Sequence, residues 1–212
     1  MKTDQLIDSL VADRDRPSLP PQRGLRFALP AAVAIAIGVF VYCLDMRADF
    51  GAAVESWRYL LKLLTAALIA IAGGLALLHL AQPEHAAARV LRLLPLAILP
   101  LLLGFALEGM MIPADLWSTA AMGQGALYCL FYVPVLSLAP LAATLWAMGR
   151  GAPQSPMLGG AIAGLAAGGV GAFVYSIHCN NDSPFYVAIW YLGGIAIVTL
   201  LGALIGHRYL RW

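Results

Sequence analysis

Six runs of about 20 apolar residues, nearly free of charge inside, divide this chain. They cover residues 25–44, 59–80, 93–112, 125–148, 158–177 and 187–206. At about 1.5 Å of rise per residue, a helix of that length crosses a hydrocarbon core of roughly 30 Å. Lipid offers no partner for a free backbone N–H or C=O, so such runs are expected to be helical. The expected fold is all-α: a polytopic six-helix transmembrane bundle over residues 24–212, preceded by a polar tail over residues 1–23. Apolar residues make up 61% of the 212 and charged ones 11%, against roughly 25% charged in soluble domains. The apolar surface therefore belongs to the lipid bilayer and to helix contacts. A formal net charge of +2 is too small to suggest direct binding of nucleic acid. The first run is longer than a signal-peptide core and no small-x-small cleavage site follows it.

Lys and Arg orient the bundle. Ten of the 13 basic residues fall on one side: Lys2, Arg14, Arg16, Arg23, Arg26, Arg89, Arg92, Arg150, Arg208 and Arg211. The other side holds Arg47, Arg58 and Lys62. The positive-inside rule then places both termini in the cytosol. The connections 45–56, 113–119 and 178–184 face outward, which in a bacterium is the oxidising periplasm. Trp57, Tyr59, Trp117, Tyr186 and Trp190 lie near the outer boundaries, as an aromatic belt would.

Residues 3–13 read as a short amphipathic cytosolic helix. Thr3 can cap it, Asp4 suits its positive end, and Leu6, Ile7, Leu10 and Val11 form one apolar stripe. Pro17, Pro20, Pro21 and Gly24 then form a helix-breaking spacer. So short a helix is marginal alone in water, so it is expected to order on a partner, through its stripe.

Gly160, Gly164 and Gly168 recur at four-residue spacing, with Gly202 and Gly206 in the last span. Small residues so spaced let helix backbones approach in lipid. Packing inside one bundle is the simpler reading, a homodimer interface the other. Lys62 and Glu108 lie near the outer ends of their spans and read as interfacial anchors or as a pair. No charge lies at mid-depth to relay protons or ions. Ser-x-x-Lys, Gly-x-Ser-x-Gly, His-Glu-x-x-His and P-loop motifs are all missing, so no enzyme is expected.

The three cysteines, Cys43, Cys129 and Cys179, all fall on the outer side. Cys129 and Cys179 could meet if the fourth and fifth spans pack together, provided their Cα atoms approach within about 7 Å. Three readings stay open: buried small residues without chemistry, a redox pair, or a soft-metal site in which His178 and Asp182 join Cys129 and Cys179. No C-x-x-C supports thioredoxin-like exchange.

Three segments carry a resemblance. They are the opening Met1-Lys2-Thr3-Asp4-Gln5-Leu6-Ile7-Asp8-Ser9-Leu10 with its proline spacer, Gly125-Ala126-Leu127-Tyr128-Cys129, and Cys179-Asn180-Asn181-Asp182-Ser183-Pro184-Phe185 leading into Trp190-Tyr191. Together they resemble the six-span membrane anti-sigma factors typified by the negative regulator of sigma F, the NrsF-like proteins. The resemblance implies a multi-pass protein of the bacterial inner membrane. Such a protein holds an extracytoplasmic-function (ECF) sigma factor at its cytosolic face and releases it on envelope stress. It makes Cys129 and Cys179 the sensor of periplasmic redox or metal stress and leaves Cys43 outside the motif. No resident cofactor is implied, only a transient soft metal ion at the outer cysteines. A standard interface buries about 800 Å² per partner, more than the tail alone offers, so the inner connections 81–92 and 149–156 are expected to contribute. The competing classes are a small transporter, which would need a polar path, and a cysteine-dependent membrane redox enzyme, which would need a pair that turns over.

Overall fold

The computed structural model describes residues 21–80, 94–150, 153 and 155–211. Regular structure among them is entirely helical: α1 Pro21–Cys43, α2 Phe50–Ala53, α3 Trp57–Leu80, α4 Leu94–Met111, α5 Trp117–Met122, α6 Ala126–Met148, α7 Pro156–Tyr175 and α8 Pro184–Tyr209. Five of these, α1, α3, α6, α7 and α8, are long and apolar enough to cross a membrane. The apolar stretch of α4, Pro95–Met111, is shorter, and what precedes it lies outside the described residues. The tail helix expected over 3–13, with Leu6, Ile7, Leu10 and Val11, also lies outside them. Pro21 and Gly24, expected in the spacer, instead sit in the first turns of α1. A proline is tolerated there because the first N–H groups of a helix have no intrahelical partner.

The most glycine-rich helix forms the centre of the bundle. Ser155 caps α7 by accepting from the Leu158 N–H, and Pro156 supplies the first helical position. Two-thirds of α7 is buried, 67% against 33% for α3, α6 and α8 and 17% for α1. Glycines permit this on three sides. Gly160 and Gly164 lie against the backbone of α8 at Gly202, Gly206 and Val198, and Gly168 against Ile195. Gly169 abuts Ala70 of α3, and Gly171 abuts Val133 and Ser137 of α6. Lipid supplies no hydrophobic drive between helices, so close backbone contact provides the attraction. The Gly160/Gly164/Gly168 face is therefore occupied by α8 of the same chain. Buried hydroxyls do not disturb this packing. Thr65, Ser137, Thr144 and Ser176 each donate to a carbonyl four residues earlier in the chain.

At one end of the bundle the connections run over 44–56, 112–125 and 176–183; this is called the cysteine end below. The second connection is more ordered than its sequence suggests. It holds a 3-10 turn, Ala114–Leu116, and then α5, and it closes on Gly123 and Gly125 at φ 53° and 71°. That is left-handed backbone, which favours glycine.

Gly164→Val pushes a branched side chain into the α8 backbone and should cost about 1–3 kcal/mol or more. Gly74→Ala meets open space and should be neutral or gain up to about 1 kcal/mol in helix propensity. Thermal unfolding of both variants in nanodiscs checks this. Equal melting temperatures would refute the close-packing account.

Candidate functional site

The connection after α7 is held by the two other connections at the cysteine end and by α3 and α4. The Arg47 N–H donates to the Ile177 carbonyl at 3.2 Å, and His178 Nδ1 meets the Asp45 carbonyl at 2.7 Å. Arg47 Nη1 reaches the Cys179 carbonyl at 3.2 Å and both carboxylate oxygens of Asp182, at 3.0 and 2.9 Å. From α3, Lys62 Nζ donates to the Cys179 carbonyl at 2.8 Å, the Asn181 carbonyl at 3.3 Å and Asp182 Oδ1. Asn181 bonds the backbone of Gln124 in both directions. Ser183 donates to Glu108 Oε2 at 2.6 Å, and Glu108 Oε1 pairs with Arg58 Nε at 3.0 Å.

Lys62 is fully buried. Its ammonium also lies 5.2 Å from the Tyr59 ring centre and 5.7 Å from that of Tyr191, and Arg47 lies 5.2 Å from Tyr59. A buried ammonium costs several kcal/mol unless paired and hydrogen-bonded; here all three of its hydrogens have acceptors. Arg47 also holds Asp49 at 2.8 Å. That hydrogen bond keeps the Asp49 carboxyl below its usual value and Arg47 above its own, so both stay charged near neutrality.

The cysteine pair lies beside this network. Cys129, in the first turn of α6, and Cys179 are both buried and both free thiols. The two belong to one buried cluster with Tyr175, Tyr186 and Tyr191. Cys129 Sγ lies 2.9 Å from Tyr186 Oη. A π turn over Val187–Tyr191 opens α8. Its wider loop brings Tyr186 and Tyr191, five apart, onto one side, with ring centres 6.5 Å apart. Tyr175 lies 5.9 Å from Tyr191, so three tyrosines wall the sulfurs. Among the described residues the buried Tyr191 hydroxyl has no hydrogen-bond partner. The Cys179 thiol is lowered to about 6, chiefly by its interaction with Cys129, with burial opposing and the Lys62 charge adding.

Of the residues singled out by sequence, Cys129 and Cys179 are brought together. His178 and Asp182 are not turned toward them: His178 faces the Asp45 carbonyl, and Asp182 is the counter-ion of Arg47 and Lys62. Among the described residues no three His, Cys, Asp or Glu side chains converge on a metal position. Cys43 is exposed at the end of α1. Lys62 and Glu108 are not interfacial anchors, because both are buried in ion pairs; nor do they pair with each other. Tyr59 and Tyr186 do not belong to an aromatic belt, since both are fully buried. The charge network was not anticipated. Its signal was the three basic residues that resist the positive-inside bias, Arg47, Arg58 and Lys62, which here meet Asp49, Glu108 and Asp182.

Mild oxidation of the purified protein with diamide should give an intramolecular Cys129–Cys179 disulfide and leave Cys43 open to alkylation. Peptide mass spectrometry after non-reducing digestion reads this. Failure to form that bridge, or a bridge to Cys43, would contradict the geometry.

A family model described as "Negative regulator of sigma F" matches residues 10–212. The chain is similar to the "Anti-sigma-F factor NrsF" of Caulobacter vibrioides, 31% identical over 224 residues and covering 100% of both chains. It is also 31% identical over 219 residues, again covering 100% of both, to the "Probable anti-sigma-F factor NrsF" of Azospira oryzae. No solved structure matches.

Proposed function

We propose, from the premise that this chain belongs to the negative regulator of sigma F family, that it is an inner-membrane anti-sigma factor whose outer cysteines sense periplasmic stress. In this reading both termini are cytosolic and the cysteine end faces the periplasm. The tail binds an ECF sigma factor through Leu6, Ile7, Leu10 and Val11, with the inner connections completing the surface. Oxidants or thiophilic metal ions act on Cys129 and Cys179 and release the sigma factor. The protein is a regulator, not an enzyme.

The observation that carries this is the buried pair of free thiols at the foot of a clamped connection. A disulfide or a soft metal ion shared by the two sulfurs would shift the end of α7 relative to the start of α6. For a metal ion, His178 and Asp182 would first have to leave their present partners, so the two sulfurs are the primary donors. The connection 176–183 is tied to α3 and α4 by Lys62 and Glu108, so any shift reaches those helices too. Release then requires two bundle arrangements only a few kcal/mol apart, which the oxidant or metal biases differently.

Replacing both cysteines by Ser should fix sigma-dependent transcription at one level, with membrane abundance unchanged. A Cys129→Ser/Cys179→Ser protein that still represses and still responds to oxidants and thiophilic metals would overturn the sensor. For the tail, each buried Leu contributes roughly 1.5–3 kcal/mol, so Leu6→Asp with Leu10→Asp should weaken sigma-factor capture about a hundredfold. Co-purification at matched membrane levels measures it, and undiminished capture would move the binding surface to the inner connections.

A further inference from the structure

The two sulfurs of the pair are the same chemical group, and their mutual interaction does not choose which one gives up its proton. Their surroundings do. Cys129 has neutral neighbours, the hydroxyls of Tyr186 and Tyr175. Cys179 has the neutral Tyr191 and, in addition, two cations on its own carbonyl, Lys62 Nζ at 2.8 Å and Arg47 Nη1 at 3.2 Å, with Asp182 as their shared counter-ion. Of the two, Lys62 is the cation whose charge favours the Cys179 thiolate. Lys62 cannot swing aside. It is fully buried, flanked by the Tyr59 and Tyr191 rings and held by three acceptors. An adjacent cation favours thiolate, and thiolate is the reactive form of cysteine.

We propose that Lys62 is the positioning residue that makes Cys179, and not Cys129, the attacking sulfur of the outer pair. The proposal rests on the reading of that pair as the sensor. With a hydroperoxide as the oxidant, the Cys179 thiolate attacks the terminal oxygen. The S–O bond forms as the O–O bond breaks, the sulfur gives up two electrons, and the departing alkoxide takes a proton from water to leave as an alcohol. Cys129, in the same buried cluster, then attacks the sulfenic sulfur. The S–S bond forms, the S–O bond breaks, and the hydroxyl leaves as water with the Cys129 proton. Two thiols and one hydroperoxide become one disulfide, one water and one alcohol. The lowered Cys179 thiol agrees with this order of events.

The test uses the full chain in lipid nanodiscs, with the exposed Cys43 changed to Ser. Iodoacetamide labelling is followed against pH, with mass spectrometry reading Cys129 and Cys179 separately. Cys179 should label first, at a rate nearly flat from about pH 7 to 9, because its thiolate is already formed. Lys62→Met should move the profile to higher pH, so that the rate climbs with pH across this range and is slower by about tenfold at pH 7. Lys62→Arg keeps the charge and should keep the flat profile. Asp182→Asn breaks the same ion pair but leaves the ammonium, so Cys179 should stay reactive. If Lys62 only held the connection in place, Lys62→Met and Asp182→Asn would change labelling alike, and that result overturns the proposal. So does first labelling at Cys129 in the Cys43→Ser protein, which decides the matter even where Lys62→Met fails to fold. The sensor reading is tested apart, by the transcriptional response of Cys129→Ser/Cys179→Ser. A lost response there beside unchanged labelling in Lys62→Met would sink the role of Lys62 alone.

Discussion

An ammonium with no exposed surface must be enclosed by acceptors, and at the cysteine end that requirement brings four parts of the chain to one point. Lys62 comes from α3, and its acceptors come from the connection after α7. Asp182 is shared with Arg47, which follows α1, and the Tyr191 ring comes from α8. Removing one partner of a buried ion pair costs about 3–5 kcal/mol, whereas replacing a whole pair with apolar residues is often neutral. The network is thus weak evidence for stability as such. Its consequence is positional: it fixes the carbonyl of Cys179, and so places the thiol beside that of Cys129.

The other organising interaction has no charge in it. α7 touches α3, α6 and α8 through glycine, so backbone lies close to backbone with little side chain between to absorb a displacement. Packed interfaces of this kind switch between discrete arrangements and do not deform smoothly. Cys179 follows the end of that helix after one short turn, with its N–H bonded to the Tyr175 carbonyl at 3.1 Å. A covalent or metal link formed at Cys179 therefore pulls on the least compliant element of the bundle. A sequence reading of the Gly160/Gly164/Gly168 stripe cannot say which neighbour fills it. Here the neighbour is α8, so any sliding along that face is of α7 against α8.

Length and apolarity made the spans legible, because lipid leaves a 20-residue apolar segment little choice but helix, at about 1.5 Å per residue. Which face of each helix turns inward was not legible. α4, α6, α7 and α8 are apolar all round, so no periodic stripe marks the inside. That is why Tyr59 and Tyr186 read as boundary aromatics: a tyrosine near a span end has the same neighbours in sequence whether it faces headgroups or cysteines. The π turn in α8 hid a second relation, since residues 186 and 191 fall on different faces of a regular α-helix. Lys62 and Asp182 are 120 residues apart in sequence, and no local pattern joins them. The cysteines were legible for the opposite reason. Both sit at the edges of spans that a short connection makes neighbours, so topology alone brought them close.

α6 joins the two ends of the proposed signal. Its first turn carries Cys129, and its last turns carry Trp146 and Ala147, against which Gly24 of α1 packs together with Arg150 just beyond. Arg150 lies over the Trp146 ring at 3.4 Å from its centre, a cation–π contact that stiffens this junction. α1 is described from Pro21, next in the chain to residues 1–20 of the tail. One helix of 23 residues, about 35 Å long at 1.5 Å per residue, thus spans the distance between the sulfurs and the root of the tail. Pro134 and Pro140 lie within it and lack the N–H that would tie those turns to the preceding one. α6 can therefore bend at mid-depth as well as move whole. Either motion, started at Cys129, reaches α1 beside Gly24, next in the chain to the residues proposed to hold the sigma factor, and it needs no polar pathway through the membrane to get there.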